Sequence, residues 1–177
     1  MNLLLTEAPL AECVTLAEAK AHLRMIHSAD DAMIGVLITA AREAVELATG
    51  RALVAAGYTY TQQGDVLCSN PLPQWPIATI ESVSYTSEAG AVVAIDAADY
   101  TLLVSESRLL VRGITGTGLT IDFHTAETTV PAALKASVLL LMADMYEQAE
   151  SNVIGTIVTI SPTVDRLLYP YRRNLGT

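Results

Sequence analysis

The chain has 177 residues, 51% hydrophobic and 16% charged, with 10 Lys+Arg against 19 Asp+Glu for a net charge of -9. That composition forms a core and excludes a disordered chain. The acidic balance argues against a general nucleic-acid binder, whose affinity comes from neutralising phosphates. The longest wholly apolar run, Val138 to Ala143, is far short of the roughly 20 residues a membrane span needs, so no membrane partner is expected.

The opening "MNLLLTEAPLAEC" has no basic n-region and carries Glu7 and Glu12, so no signal peptide is expected. Cys13 and Cys68 form no CxxC pair; the expectation is free buried thiols in a reducing cytoplasm, with a disulfide as the alternative. In "TLAEAKAHLRMI", Thr15 and Glu18 stand at capping-box spacing, with Leu16, Ala19, Leu23 and Ile26 on one helical face. "SADDAMIGVLITAAREAVELATG" predicts a second, longer helix, opened by Ser28, Asp30 and Asp31 and stopped by Gly50. Its core stripe is read as Met33, Leu37, Ala40, Ala41, Ala44, Leu47 and Ala48.

From about 51 to 129 the pattern turns strand-like. "YTYTQQ", "IATIESVSYTS", "AVVAI", "DYTLLVSESRLLVRG" (two strands with a turn at Ser105–Ser107) and "GTGLTIDFHTA" predict a small antiparallel sheet of five or six short strands. Glu88-Ala89-Gly90 marks a turn, and the three prolines of "SNPLPQWPI" predict an extended loop. Helix returns in "TTVPAALKASVLLLMADMYEQAE". Pro131 sits in its first turn, Leu134, Val138, Leu141, Met145 and Tyr146 form its stripe, and Leu139, Leu140 and Met142 widen it. A helix so apolar around its circumference is expected to be central. "SNVIGTIVTIS" reads as a loop or short strand pair, and "PTVDRLL" as a short helix halted by Pro170.

The expected fold class is α+β: one domain, 1–177, in which an α-helical bundle (14–50 and 130–150) carries a small antiparallel β insertion (51–129) between its second and third helices. Segment 161–177 follows as a docking tail. Because the core helices end near Glu150, the bundle is expected to stand without it. The tail contains "LLYPYRR", and Arg166, Arg172 and Arg173, three of the ten basic residues, all stand in the last twelve positions. Tyr and Arg together are residue types that anchor interfaces, so Leu167, Leu168, Tyr169, Tyr171, Arg172 and Arg173 are the candidate partner-docking residues.

No catalytic constellation emerges, and no cofactor or metal is expected. In "DFHTAE", Asp122 and His124 share a strand face near Glu127, but no nucleophile motif accompanies them, and an edge-strand surface histidine is the favoured reading. His22 and His27 are five apart, a poor spacing for ligating one metal from a helix. "GITGTGLT" lacks the GKS/GKT of a phosphate loop and reads as a hairpin turn. Cys68 has no basic neighbour to activate it.

The order of these segments resembles the head–tail connector (adaptor) family of long-tailed phages and related gene-transfer particles. "VTLAEAKAHLRM" followed by "DDAMIGVLITAAREAVELATGRAL" is similar to its opening helix pair, and "LPQWPIATIESVSYTSEAG" to its proline-led strand. "DYTLL" resembles the following strand, "VPAALKASVLLLMADMYEQAE" the third helix, and "LLYPYR" the C-terminal signature. The family's third helix often ends in an acidic-asparagine-arginine run; "MYEQAES" lacks the arginine.

The resemblance implies a structural virion protein of the neck, assembled in the host cytoplasm. It would form a ring, of twelve copies in the family, beneath the portal protein, and meet a stopper or tail-completion protein. DNA would pass through the ring without specific binding. In that reading "LLYPYRR" docks on the portal or a neighbouring subunit. The alternatives are a small enzyme or ligand-binding module with a pocket around His124, or another neck component such as a stopper or tail terminator.

Overall fold

The computed structural model of the chain describes residues 2–104, 106–126, 129–150 and 162–172, with backbone alone at 149 and 150. The loop or strand pair expected at 151–161, Ser105 of the expected turn, and Glu127 lie outside the described residues. In chain order the elements are β1 (Asn2–Glu7), α1 (Leu16–Leu23), α2 (Asp31–Thr49), β2 (Gly57–Asp65), β3 (Ser69–Pro71), β4 (Ile77–Thr86), β5 (Val92–Ala94), β6 (Tyr100–Leu103), β7 (Arg108–Val111), β8 (Thr117–Thr125), α3 (Ala132–Glu150) and α4 (Pro162–Leu168), closed by a 3-10 turn at Tyr169–Tyr171. They divide into two compact units, one of residues 11–53, 129–150 and 162–172, the other of 2–10 and 54–126.

The first unit is helical. Thr15 caps α1 as its spacing predicts: its hydroxyl accepts from the Glu18 N–H at 3.2 Å, and the Glu18 carboxylate accepts from the Thr15 N–H at 2.9 Å. Arg24, in the left-handed region at φ 58°, ends the helix earlier than expected and leaves Ile26 fully exposed. Gly50, at φ 65°, stops α2 by donating its N–H to the Glu46 carbonyl at 2.8 Å. The apolar core takes Val14, Ala19, Ile34, Ile38, Ala41, Val45, Leu53, Leu134, Val138, Met142, Tyr146, Val164 and Leu168. From Ala133 to Tyr146, α3 presents no fully exposed residue, as expected of a central helix.

The inward face of α2 is only partly the one its sequence suggests: of the expected stripe, Ala41 is buried and Leu37 and Ala48 pack against the core. Ile34, Ile38, Ala41 and Val45 are buried, whereas Met33 and Leu47 of the expected stripe are exposed. Arg42 and Glu46, at 1% and 2% exposure, go inside with the apolar residues. Three guanidinium nitrogens each find a different carboxylate: Nε donates to Glu12 at 2.8 Å, Nη1 to Glu46, and Nη2 to Glu43 at 3.4 Å. The second oxygen of Glu12 accepts from the Thr39 hydroxyl at 2.8 Å, and that of Glu46 from the Leu53 N–H at 2.6 Å. One side chain thereby ties the segment before α1 and the segment after α2 to the same helix. Burial works to lower the Arg42 pKa, but Glu46 and then Glu12 outweigh it and raise it.

The second unit is built from strands. A five-stranded sheet runs β1-β2-β8-β4-β5 and a three-stranded one runs β3-β7-β6; every pairing is antiparallel. Period-2 alternation drives Leu119, Ile121 and Phe123 of β8, Tyr58 and Tyr60 of β2, and Leu109 and Val111 of β7 into one core. Tyr58 and Phe123 are cross-strand partners whose rings stack at 5.8 Å.

The expectation of a helical bundle with a small β insertion is therefore incorrect: the described residues form four helices and eight strands, the strands making two sheets around a core of their own. Two strands escape the sequence pattern. In β1 the continuous Leu3-Leu4-Leu5 shows no alternation, and β3 hides in the proline-rich stretch, where Asn70 and Pro71 pair with Leu109 and Arg108. The "GITGTGLT" stretch is likewise not a hairpin turn, because β7 and β8, on either side of it, belong to different sheets.

Removing one partner of a buried pair leaves an uncompensated charge, so Glu46→Ala is expected to cost about 3 kcal/mol in urea unfolding. The exposed partner of the same guanidinium provides the contrast: Glu43→Ala is expected to cost less than about 1 kcal/mol. Replacing Arg42 and Glu46 together by Met and Leu should recover most of the Glu46→Ala loss.

A second prediction concerns Glu18. Its carboxyl, ordinarily 4.5, is held down to about 2, first by the Lys135 ammonium at 2.6 Å and then by the Thr15 N–H and hydroxyl. A depressed acid stabilises the fold fully above its unfolded pKa and loses that stabilisation as pH falls through the folded one. The stability difference between wild type and Glu18→Gln should thus be constant above pH 4.5 and vanish towards pH 2, read from urea melts at stepped pH.

Candidate functional site

Two places invite a functional reading: the polar outer face of the five-stranded sheet and the C-terminal α4 segment. On the sheet, β8 is the central strand, so His124 is not an edge-strand residue as expected. It points outward, partly exposed, above its cross-strand partner Gly57. A Cβ at Gly57 would stand 3.1 Å from the imidazole Cε1 and 3.0 Å from the Glu7 Cβ, which is why a side chain is missing there. Glu81 lies 3.1 Å from His124 Nε2 and Glu7 3.9 Å from Nδ1. Glu81 reaches this position from an irregularity in β4, between the pairs Ile80↔Phe123 and Ser82↔Asp122; such bulges re-aim side chains.

Asp122 shares this face but does not orient the imidazole. Its two oxygens accept from the Thr59 hydroxyl on one neighbouring strand and from the Ser82 hydroxyl, at 2.6 Å, on the other. The carboxylates flanking His124 approach opposite ring nitrogens, so they cannot converge with it on one ion. Among the described residues no group of three or more His, Cys, Asp or Glu could hold a metal, and no helix is long and apolar enough to cross a membrane. His22 and His27 are both exposed, and α1 ends at Leu23, so only the first is helical.

The thiols are free and differ in setting. Cys13 is half-buried, and its pKa is pushed up to about 11, first by burial and then by Glu12 and Glu46, which leaves it a poor nucleophile. Cys68 is exposed rather than buried as expected. The glycines of "GITGTGLT" serve geometry. A Cβ on Gly116 would stand 2.5 Å from the Tyr85 ring and 2.6 Å from the Thr86 carbonyl oxygen.

The structure brings the tail residues into one short segment with two aspects. Val164 and Leu168, one helical turn apart, are buried in the helical core, and half-buried Tyr171 packs against it. Leu167 is half-buried, while Arg166, Tyr169 (74% exposed) and Arg172 face outward. Arg172 donates to Asp165 at 2.6 Å, with both side chains substantially exposed. Arg173 and Ser161 lie outside the described residues. Leu168 is therefore an internal anchor of α4, and this segment covers part of the helical core. The exposed tip is aromatic and basic on an acidic chain.

Comparisons with known proteins place the chain in context. Residues 13–89, from just before α1 to just beyond β4, match the family described as phage gp6-like head-tail connector protein. This bears out the resemblance read from the sequence. Among solved structures, a chain from the neck of an empty GTA particle computed with C6 symmetry matches with a TM-score of 0.75 and 27% identity, covering 100% of this chain and 99% of that one. A chain from the neck of a native GTA particle computed with C12 symmetry matches with a TM-score of 0.70 and 26% identity over the same shares. A third, from the virion of a native gene transfer agent particle, shares the fold at 24% identity and a TM-score of 0.73. The comparison with curated proteins gives no match.

If Gly116 is small for packing rather than for ligand binding, Gly116→Ala should destabilise by about 1–3 kcal/mol, as overpacked sites do. Thermal melts should show the loss, and Tyr85→Ala in the same chain should relieve part of it.

Proposed function

We propose that this chain is a structural protein of a virion neck, a head–tail adaptor that works as one copy in a ring beneath the portal. The observation that carries the reading is similarity along the full length of the chain to neck components at 27% and 26% identity, joined to the connector-family match over residues 13–89. The role is mechanical rather than catalytic: copies related by rotation extend the DNA channel from the portal towards a stopper or tail-completion protein. A net charge of -9 suits such a passage, because phosphates slide past a surface that does not neutralise them.

Docking to the portal is assigned to the outward aspect of the α4 segment. Val164 and Leu168 fix it to the helical core, and this pre-organisation lowers the entropy of binding. Tyr169 offers stiff amphipathic area. Arg172 can exchange Asp165 for a carboxylate of the partner, with Leu167 and Tyr171 at the margin and Arg173 following.

Deleting the gene should leave filled heads that lack tails, and supplying it should restore complete particles; tailed, functional particles without this chain would overturn the reading. For the tail, the exposed positions separate docking from folding. Tyr169→Ala with Arg172→Glu should keep the wild-type melting temperature while weakening co-purification with portal by about tenfold or more. Undiminished co-purification would remove the α4 tip from the portal contact.

A further inference from the structure

The two faces of α2 contradict the usual arrangement of a surface helix, which turns its charges to water and its apolar residues to the core. Here Arg42 and Glu46 are buried, and the remaining charged residues of the helix are Asp31, paired with Lys20 at 2.7 Å, and Glu43, 3.4 Å from Arg42. The face opposite the core carries Met33, Val36, Ala40, Glu43 and Leu47. Val36 is 69% and Leu47 85% exposed. The positions alternate in steps of three and four, the spacing with which one helix presents a continuous seam to another at a shallow crossing angle. Nothing among the described residues covers it, although Ile34, Ile38, Ala41 and Val45 fully supply the core-facing side.

We infer that the outward seam of α2 is the surface through which one copy of this chain packs against a helix of the next copy. The inference rests on the ring reading above and names the face the ring uses. The occupant follows from charge. Every copy carries -9, so identical neighbours repel one another across most of their surfaces. They approach at least cost where charge has been removed. This seam has one acid, already beside Arg42, and no cation to attract phosphates or an acidic partner. Small Ala40 at its centre allows close backbone approach, and the stretch from Met33 to Leu47 offers about 21 Å of contact length. A heterologous contact of this kind generates a ring when its repeated rotation closes.

The test places benzoylphenylalanine, a photo-cross-linking side chain, at Val36 or Leu47 in particles assembled with the full chain. Irradiation is expected to yield a ladder of multiples of this chain, with mass spectrometry mapping both cross-linked peptides to it. A cross-link to a different neck protein, or none while the chain is present in the neck, would overturn the seam assignment and leave the neck reading standing. Absence of the chain from particles would overturn both. A companion variant, Val36→Glu with Leu47→Glu, is expected to fold with an unchanged melting temperature and to be lost from particles. Normal incorporation of that variant would also overturn the assignment.

Discussion

The helical unit is organised around a guanidinium that has no access to water. Arg42 is held by Glu12 from before α1 and by Glu46 from its own helix, while Glu46 accepts the Leu53 N–H beyond the helix end. Such a cluster is costly to bury and gains little net stability over a well-packed apolar core. Its value is in register. An apolar stripe tolerates rotation of a helix, whereas the two bonds that leave α2, from Arg42 to Glu12 and from the Leu53 N–H to Glu46, fix which face turns inward. With the cluster in place, Ile34, Ile38, Ala41 and Val45 meet α3, and the other apolar face of α2 is turned away. Without it, the two apolar faces would compete for the core.

That competition explains where the sequence was readable and where it was not. The capping box at Thr15, the stop at Gly50 and the central character of α3 are local or compositional, and each is found as its residues suggest. The seven strands between Gly57 and Thr125 include the five segments whose composition or alternation is strand-like. The inward face of α2 is rotated from the expected one because Met33, Ala44 and Leu47 extend the apolar stripe to one side of Leu37, Ala41 and Ala48, which do face the core. The available clue was the Arg42–Glu46 spacing of four residues beside Glu12, a pattern that also occurs on solvated helices. β1 and β3 are set by their partners rather than by their own sequence. The balance between the two units was misjudged for the same reason: short strands that look minor singly bury Tyr58, Tyr60, Leu109, Leu119, Ile121 and Phe123 together.

The functional surfaces divide by chemistry. The polar face of β8 satisfies its own groups, with Asp122 taken up by two hydroxyls and His124 set between two glutamates. The outward faces of α4 and α2 instead leave side chains uncovered, Tyr169 beside the Arg172–Asp165 pair on one and Val36 and Leu47 on the other. One is aromatic and basic, the other apolar and nearly uncharged. Under the functions proposed for them, the two surfaces differ enough in chemistry to recognise different partners.

The first strand has a consequence for synthesis. β1 occupies residues 2–7, yet its partner β2 begins at Gly57 and the central β8 only at Thr117. Three consecutive leucines therefore leave the ribosome well before the strand that pairs with them. The helices made next, α1 and α2, wait in turn for α3, which starts at Ala132. Each unit is interrupted by the other along the chain, so neither can close while the polypeptide is still short. A premature stop within β8 or earlier leaves both units unfinished, whereas one between β8 and α3 deprives the helical unit of its central helix.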